Sequence, residues 1–125
     1  CVFDRDDNTN AMLSKAKQMA IKEGYQIAFS NPSFEVWFLL HFNNQTTPVE
    51  NCEAAIKLLK KKGRLEQYEK NKEVYEQLKP LQEAAIDRAK KRVAALQAEH
   101  TEILSRESNP VTTIAELVEY LNSKQ

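Results

Sequence analysis

The sequence predicts an α/β fold: a partial parallel sheet built on one βαβ unit, carrying a large helical insertion and richer in helix than in strand. Three observations carry this. Residues 1 to 31 read as strand, acidic loop, helix and strand with short links, and such a unit implies a parallel pair of strands. The middle of the chain is dense in Ala, Leu, Glu, Lys and Gln, which favour helix. Gly and Pro are scarce, with two and four copies in 125 residues, and a chain of this length buries one core.

Each element follows from local pattern. Cys1 to Phe3 is apolar and strand-like, and the acidic run Asp4-Arg5-Asp6-Asp7-Asn8 stands where a strand gives way to a loop. Met12, Ala16, Met19 and Ala20 recur at helical spacing from about Asn10 to Glu23, and Gly24 suits the left-handed residue after a helix. Tyr25 to Phe29 reads as a second strand. Asn31-Pro32-Ser33 reads as a helix start, with Asn31 as cap and Pro32 in the first turn. The helix it opens, Ser33 to Phe42, is apolar on nearly every side and is therefore buried.

Beyond the polar loop Asn43 to Pro48 the composition changes. Val49 to Lys62 predicts an amphipathic helix stopped by Gly63, and a short helix follows from Leu65 to Lys70. A long helical stretch then runs from Glu73 to Leu104, with Pro80 kinking it or starting it anew. Val74, Leu78, Leu81, Ala85, Ala89, Val93, Leu96 and Ile103 form its apolar stripe, a seam within the chain or between two copies in a homodimer. Asn109-Pro110 breaks the chain, and Thr113 with Glu116 has capping-box spacing before a last helix, Ile114 to Leu121. The expected division is an α/β core over 1–48, a helical hairpin insertion over 49–108, and a C-terminal helix, 109–125, packing back on the core.

Composition excludes some functions. Lys and Arg balance Asp and Glu at 18 each, so the whole chain is not a basic nucleic-acid glove, although local patches remain. No apolar run approaches the roughly 20 residues a membrane helix needs. Cys1 and Cys52 lie far apart with no metal-ligand spacing, which favours a reducing compartment, the cytoplasm. The chain opens on Cys1 inside an apolar run, without an initiator Met, and so reads as a piece whose upstream part is absent.

Asp4 and Asp6 are the first candidates for chemistry. Two residues apart in an extended segment, they would point to one side. At the C-terminal end of a parallel strand they would project into the crevice where open α/β sheets bind ligands. Mg2+, or Mn2+ in its place, takes such oxygen ligands, often one or two carboxylates completed by water and phosphate. Asp7 is a third candidate, through water. The plain alternative is an acidic loop in which Asp7 or Asn8 caps the next helix.

Glu35 and His41 are the ionisable positions of the apolar helix. A buried carboxylate is costly unless paired or bound to metal, which makes Glu35 a catalytic candidate. His41 is a candidate for substrate, against a satisfied structural histidine. Asn31 and the group Asn109, Thr112 and Thr113 sit at helix starts, which serve as caps or bind phosphate. Lys60, Lys61, Lys62 and Arg64, with a second cluster at Arg88, Lys90, Lys91 and Arg92, would track a nucleic-acid backbone or form a solvated face.

Three blocks together resemble the RloB-like family: Val2-Phe3-Asp4-Arg5-Asp6-Asp7, Ser30-Asn31-Pro32-Ser33-Phe34-Glu35-Val36-Trp37-Phe38-Leu39-Leu40-His41-Phe42, and Asn109-Pro110-Val111-Thr112-Thr113-Ile114-Ala115-Glu116-Leu117-Val118. The resemblance spans the chain except its Lys/Glu-rich middle. It implies a bacterial restriction-linked or abortive-infection component, encoded beside an ATPase partner and acting in phage defence. It also implies kinship with Toprim-type domains, whose D-x-D holds Mg2+ for cutting or joining a phosphodiester. On that resemblance Asp4 and Asp6 are the metal pair of a Mg-dependent nuclease, and the glutamate that moves the proton belongs to an earlier strand not in this chain. Asn31, Glu35 and His41 match the central block, and Asn109 and Thr113 the last. Two other readings stand beside it. One is a non-catalytic subunit whose hairpin docks on the ATPase. The other is a haloacid-dehalogenase-like phosphatase, against which Asn8 stands where those enzymes carry Thr or Val.

Overall fold

The structure is a computed structural model that describes residues 2–45, 47–61, 64–66, 68 and 74–124. It is helix-rich around a small mixed sheet, consistent with an α/β fold. Three strands lie in the order β1 (Val2–Asp4), β2 (Ala28–Asn31), β3 (Val111–Thr112). β1 and β2 are parallel, with Asp4 opposite Ser30. β2 and β3 are antiparallel, with Asn31 opposite Val111.

The expected parallel pair is present, joined through α1 (Asn10–Glu23). Thr9 caps this helix, its Oγ1 accepting from the Met12 N–H at 3.2 Å, so neither Asp7 nor Asn8 is the cap. Gly24 closes it at φ 73°, donating to the Ala20 and Ile21 carbonyls, as the sequence predicts. The buried face is Leu13 and Ala20, whereas Met12 and Met19 are exposed. Ala20 and, half-buried, Ala16 of the predicted stripe face inward with Leu13, while Met12 and Met19, each one residue from a buried position and so turned by about 100°, face solvent.

Two strands differ from expectation. β2 begins three residues later than predicted and includes Ser30 and Asn31, both buried. Tyr25 is outside it and exposed. Aromatic residues signalled a strand at Tyr25, but Ser30 and Asn31 are strand residues because the fold supplies their polar partners. β3 was not predicted at all: two residues after a proline give no periodic signal, and pairing with β2 makes the strand.

The apolar helix is shorter than predicted, α2 (Glu35–Leu39), with tighter turns continuing through Asn43. It is buried as expected. Asn31 does not cap it, for Asn31 lies within β2. α3 (Cys52–Leu59) is capped by Asn51, which accepts from the Ala54 N–H at 2.9 Å. The predicted long helix is broken into α4 (Tyr75–Leu78), a 3-10 turn (Lys79–Leu81) holding Pro80, and α5 (Gln82–Ala98). Part of the short helix expected over 65–70 lies outside the described residues.

α6 (Ile114–Asn122) starts where predicted, but Thr113 makes no capping bond with its side chain. Its Oγ1 instead accepts from the Phe29 N–H at 2.8 Å and donates to the Ile27 carbonyl at 3.4 Å. The Ile114 N–H is taken by Thr112 Oγ1 at 3.2 Å. Strand pairing outcompetes the capping box here, because Thr113 lies beside the backbone of β2.

Three apolar clusters hold the fold. Phe29 and Val111 meet Leu13 of α1 and Leu96 of α5 on one face of the sheet, and Phe3 packs against Phe29 with the rings tilted by 60° and their centres 5.5 Å apart. Ala28 meets Val36, Trp37 and Leu40, Ala85 and Ala89 of α5, and Ile114 and Ala115 on the other. Leu39, Val49, Ala55, Leu59, Val74 and Leu78 form the third, under the middle of the chain. Val74, Leu78, Ala85, Ala89 and Leu96 of the predicted stripe are therefore buried within this chain. No helix among the described residues is long and apolar enough to cross a membrane.

Candidate acidic-loop site

Asp4 closes β1, at the C-terminal end of the parallel pair. The next residues leave the strand at once. Asp6 has φ 41°, a left-handed conformation that Asp and Asn tolerate better than most residues. The two-residue alternation that would align Asp4 and Asp6 therefore does not apply: Asp6 belongs to a turn. Asp6 and Asp7 are exposed, and Asp4 is half-buried.

The backbone of this turn is held from several sides. The Asp6 N–H donates to the Pro32 carbonyl at 3.1 Å, and the Arg5 N–H to the Ser30 carbonyl at 2.8 Å. Arg5 is buried, at 7% exposure. Its Nη2 donates to the Glu50 carbonyl at 2.9 Å, and its Nε to the Asp6 carbonyl at 3.1 Å. Arg106 approaches from the opposite end of the sequence, donating from Nη1 to the Asp6 carbonyl at 3.2 Å and the Asn8 carbonyl at 2.8 Å. Burial lowers the Arg5 pKa, and the neighbouring Arg106 charge lowers it further, opposed by Asp6 and Asp7. A guanidinium remains protonated through such shifts.

Glu35 has a different setting. It is 3% exposed and its carboxyl group accepts from Ser33 Oγ at 2.9 Å, Tyr68 OH at 2.7 Å and Cys52 Sγ at 3.5 Å. Burial, then the bond to Glu35, push the Tyr68 hydroxyl well above the usual phenol range. This network ties α2 to α3 and to the segment after it. Its donors satisfy a buried carboxyl group, which is the structural way to tolerate one. His41 is also buried, with Nδ1 2.9 Å from the Trp37 carbonyl and its ring 4.8 Å from the Trp37 ring. Burial holds its pKa below the usual histidine range, against the backbone bonds that raise it.

The two asparagines each precede a proline, but they do different work. Asn31 is fully buried, and its Nδ2 donates to the Ser105 carbonyl at 2.8 Å and to Ser108 Oγ at 3.0 Å. Its Oδ1 is buried and has no hydrogen-bond partner among the described residues. Asn109 accepts from the Val49 N–H at 2.9 Å and donates back to the Val49 carbonyl, fastening the start of the middle segment to its end. Neither caps α2 or α6.

The fold thus gathers Asp4, Asp6, Asp7, Asn31 and Asn109 toward one end of the sheet, the end that β1 and β2 leave and β3 enters. Thr113 lies at the other end. There it lines a cavity of about 390 Å³ with Val2, Tyr25, Ile27, Leu117 and Tyr120. Of the basic group, Lys60 and Lys61 are exposed and Lys62 lies outside the described residues. Arg64 turns inward, donating from Nη1 to the Leu58 carbonyl at 3.0 Å near the end of α3. Arg88 and Arg92 likewise donate to the Leu40 and Pro110 carbonyls, at 2.7 and 2.8 Å, and Lys90 pairs with Glu119 at 2.7 Å. Much of that second cluster is internal bracing.

Reading the sequence missed Arg5, Arg106, Ser33 and Tyr68. Arg5 had a signal, a cation between two aspartates at a strand end. Arg106 and Tyr68 had none, since their partners are distant in sequence.

The donors suit a hard cation in kind: carboxylate oxygens on an exposed turn, braced through its backbone. Among the described residues no group of three His, Cys, Asp or Glu stands together as a metal site. A hard cation held by one or two carboxylates takes the rest of its shell from water and substrate oxygens.

No curated protein and no solved structure matches this chain. A family model described as RloB-like protein matches residues 1–121, nearly the whole length. The chain belongs to the RloB-like family.

Proposed function

We propose that this chain is part of a Mg2+-dependent nuclease of Toprim type, serving a bacterial phage-defence or restriction-linked system together with an ATPase partner. One observation carries the reading: an acidic turn, braced through its backbone, at the C-terminal end of a parallel strand pair. Open α/β sheets take their ligands at that end. Asp4 and Asp6 would hold the cation, with Asp7 acting through water. A bound Mg2+ would supply charge stabilisation at a phosphodiester and orient water. The protein's own part is to keep the turn in place and leave the Asp6 and Asp7 carboxyl groups open to solvent. Glu35 already accepts three internal donors, which favours a structural role for it.

The test is a nuclease assay on DNA and on RNA, with the full chain and its genomic ATPase neighbour, comparing wild type with Asp6→Ala. Mg2+- or Mn2+-dependent cleavage that Asp6→Ala abolishes is expected. Unchanged cleavage in Asp6→Ala would overturn the assignment. Intact binding to the ATPase with no metal effect would favour a non-catalytic docking subunit.

A further inference from the structure

Two guanidinium groups converge on one carbonyl in this molecule. Arg5 Nε and Arg106 Nη1 both donate to the Asp6 carbonyl, at 3.1 and 3.2 Å. Like charges at such close quarters repel, so the arrangement needs a reason. Arg5 has an independent anchor, the Glu50 carbonyl. Arg106 is seated differently. It lies in the 3-10 turn Arg106–Ser108, and the residues around it are tied to the sheet and to α1. Asn31 Nδ2 grips the Ser105 carbonyl at 2.8 Å and the Arg106 carbonyl at 3.3 Å. Asn10 Oδ1 accepts from the Arg106 N–H at 2.8 Å, and its Nδ2 donates to the Glu107 carboxyl group at 2.9 Å. The Arg106 backbone is thus fixed while its side chain crosses to the Asp6 and Asn8 carbonyls.

We propose that Arg106 is a positioning residue for the acidic turn: the strap Ser105–Ser108, held by Asn31 and Asn10, uses it to fix the Asp6–Asn8 backbone from which Asp6 and Asp7 present their carboxyl groups to a divalent cation. This rests on the reading of Asp4 and Asp6 as cation ligands. Arg106 does not touch the cation; it acts through Asp6 and Asn8. It also links the turn to the far end of the helical middle segment, 100 residues away in sequence.

Electrostatics and positioning predict opposite signs, which makes the proposal testable. Removing a positive charge near a cation site strengthens cation binding by Coulomb's law. Loss of the brace weakens it, and groups that orient metal ligands are typically worth about 10- to 100-fold in affinity. The experiment is Mn2+ binding to the full chain, followed by electron paramagnetic resonance, for wild type, Arg106→Ala and Arg106→Lys. Expected is at least a roughly 10-fold weaker Kd in Arg106→Ala, a smaller loss in Arg106→Lys, and partial recovery of Arg106→Ala by added guanidinium at low millimolar concentration. Amide exchange without metal should quicken at Asp6 and Asn8 in Arg106→Ala and stay unchanged in β2. Equal or tighter Mn2+ binding in both variants would overturn the positioning role. Absence of Mn2+ binding in wild type would instead sink the cation reading, and this inference with it.

Discussion

Glu35 and the Asp4–Asp7 turn are both acidic and follow the neighbouring parallel strands β2 and β1, yet they solve opposite problems. Glu35 is buried, and its carboxyl group is received by Ser33, Tyr68 and Cys52. In the turn it is the backbone that is received, by Arg5, Arg106 and the Pro32 carbonyl, while the Asp6 and Asp7 side chains stay exposed. The first arrangement spends an acid on cohesion. The second leaves the Asp6 and Asp7 side chains at the exposed surface of a turn held through its backbone. Acidity alone therefore does not tell the two apart; where the hydrogen bonds fall does.

The comparison breaks most easily at Glu35. Glu35→Ala leaves buried donors without an acceptor and should cost about 2–3 kcal/mol, read as a lower midpoint in urea unfolding. A loss under about 0.5 kcal/mol, the level of an ordinary surface change, would show that the network is not cohesive. Tyr68→Phe removes a single donor to that carboxyl group and should cost about 1.5 kcal/mol. Tyr68 also predicts alkaline behaviour. Its pKa is raised on folding, so the stability it contributes is complete below the unfolded phenol value of about 10 and is lost as pH rises beyond it. Tyr68→Phe should therefore flatten the alkaline limb of the stability profile.

His41 predicts a smaller effect of the other sign. Its pKa is lowered on folding. The unfolded chain then binds the proton first as pH falls below about 6.5, and stability declines in that window. A nuclear magnetic resonance titration should place the His41 midpoint below the ordinary histidine value; a midpoint at or above it would contradict the burial described. Smallest of all, Asp6→Asn should change stability by no more than about 0.5 kcal/mol, since Asp6 is exposed and its backbone bonds survive. A large loss would mean that the carboxyl group itself braces the turn, and the contrast with Glu35 would fail.

Much of this molecule was legible before its structure. The βαβ start, the Gly24 stop, the buried α2 and the break at Asn109-Pro110 all rest on residues whose preferences act over a few positions. So does the family: its three blocks are local strings. The acidic turn could be located, but its geometry was inferred from an extended chain that ends at Asp4. The bracing could not be read. Arg106 meets Asp6, Thr113 meets Phe29, Asn109 meets Val49 and Tyr68 meets Glu35 across 100, 84, 60 and 33 positions. Asn31 and Thr113 carried helix-cap signals that the fold overruled, because buried strand backbone offered partners no isolated helix end provides.

The sequence by itself determined the αβ character, the order of most elements and the place of the acidic run. Local propensity and periodicity are properties of neighbouring residues, and they survive without the rest of the chain. Only the tertiary structure decided which acids are consumed and which are left exposed. That outcome depends on desolvation and on donors brought from distant segments, and both exist only once the chain has closed on itself.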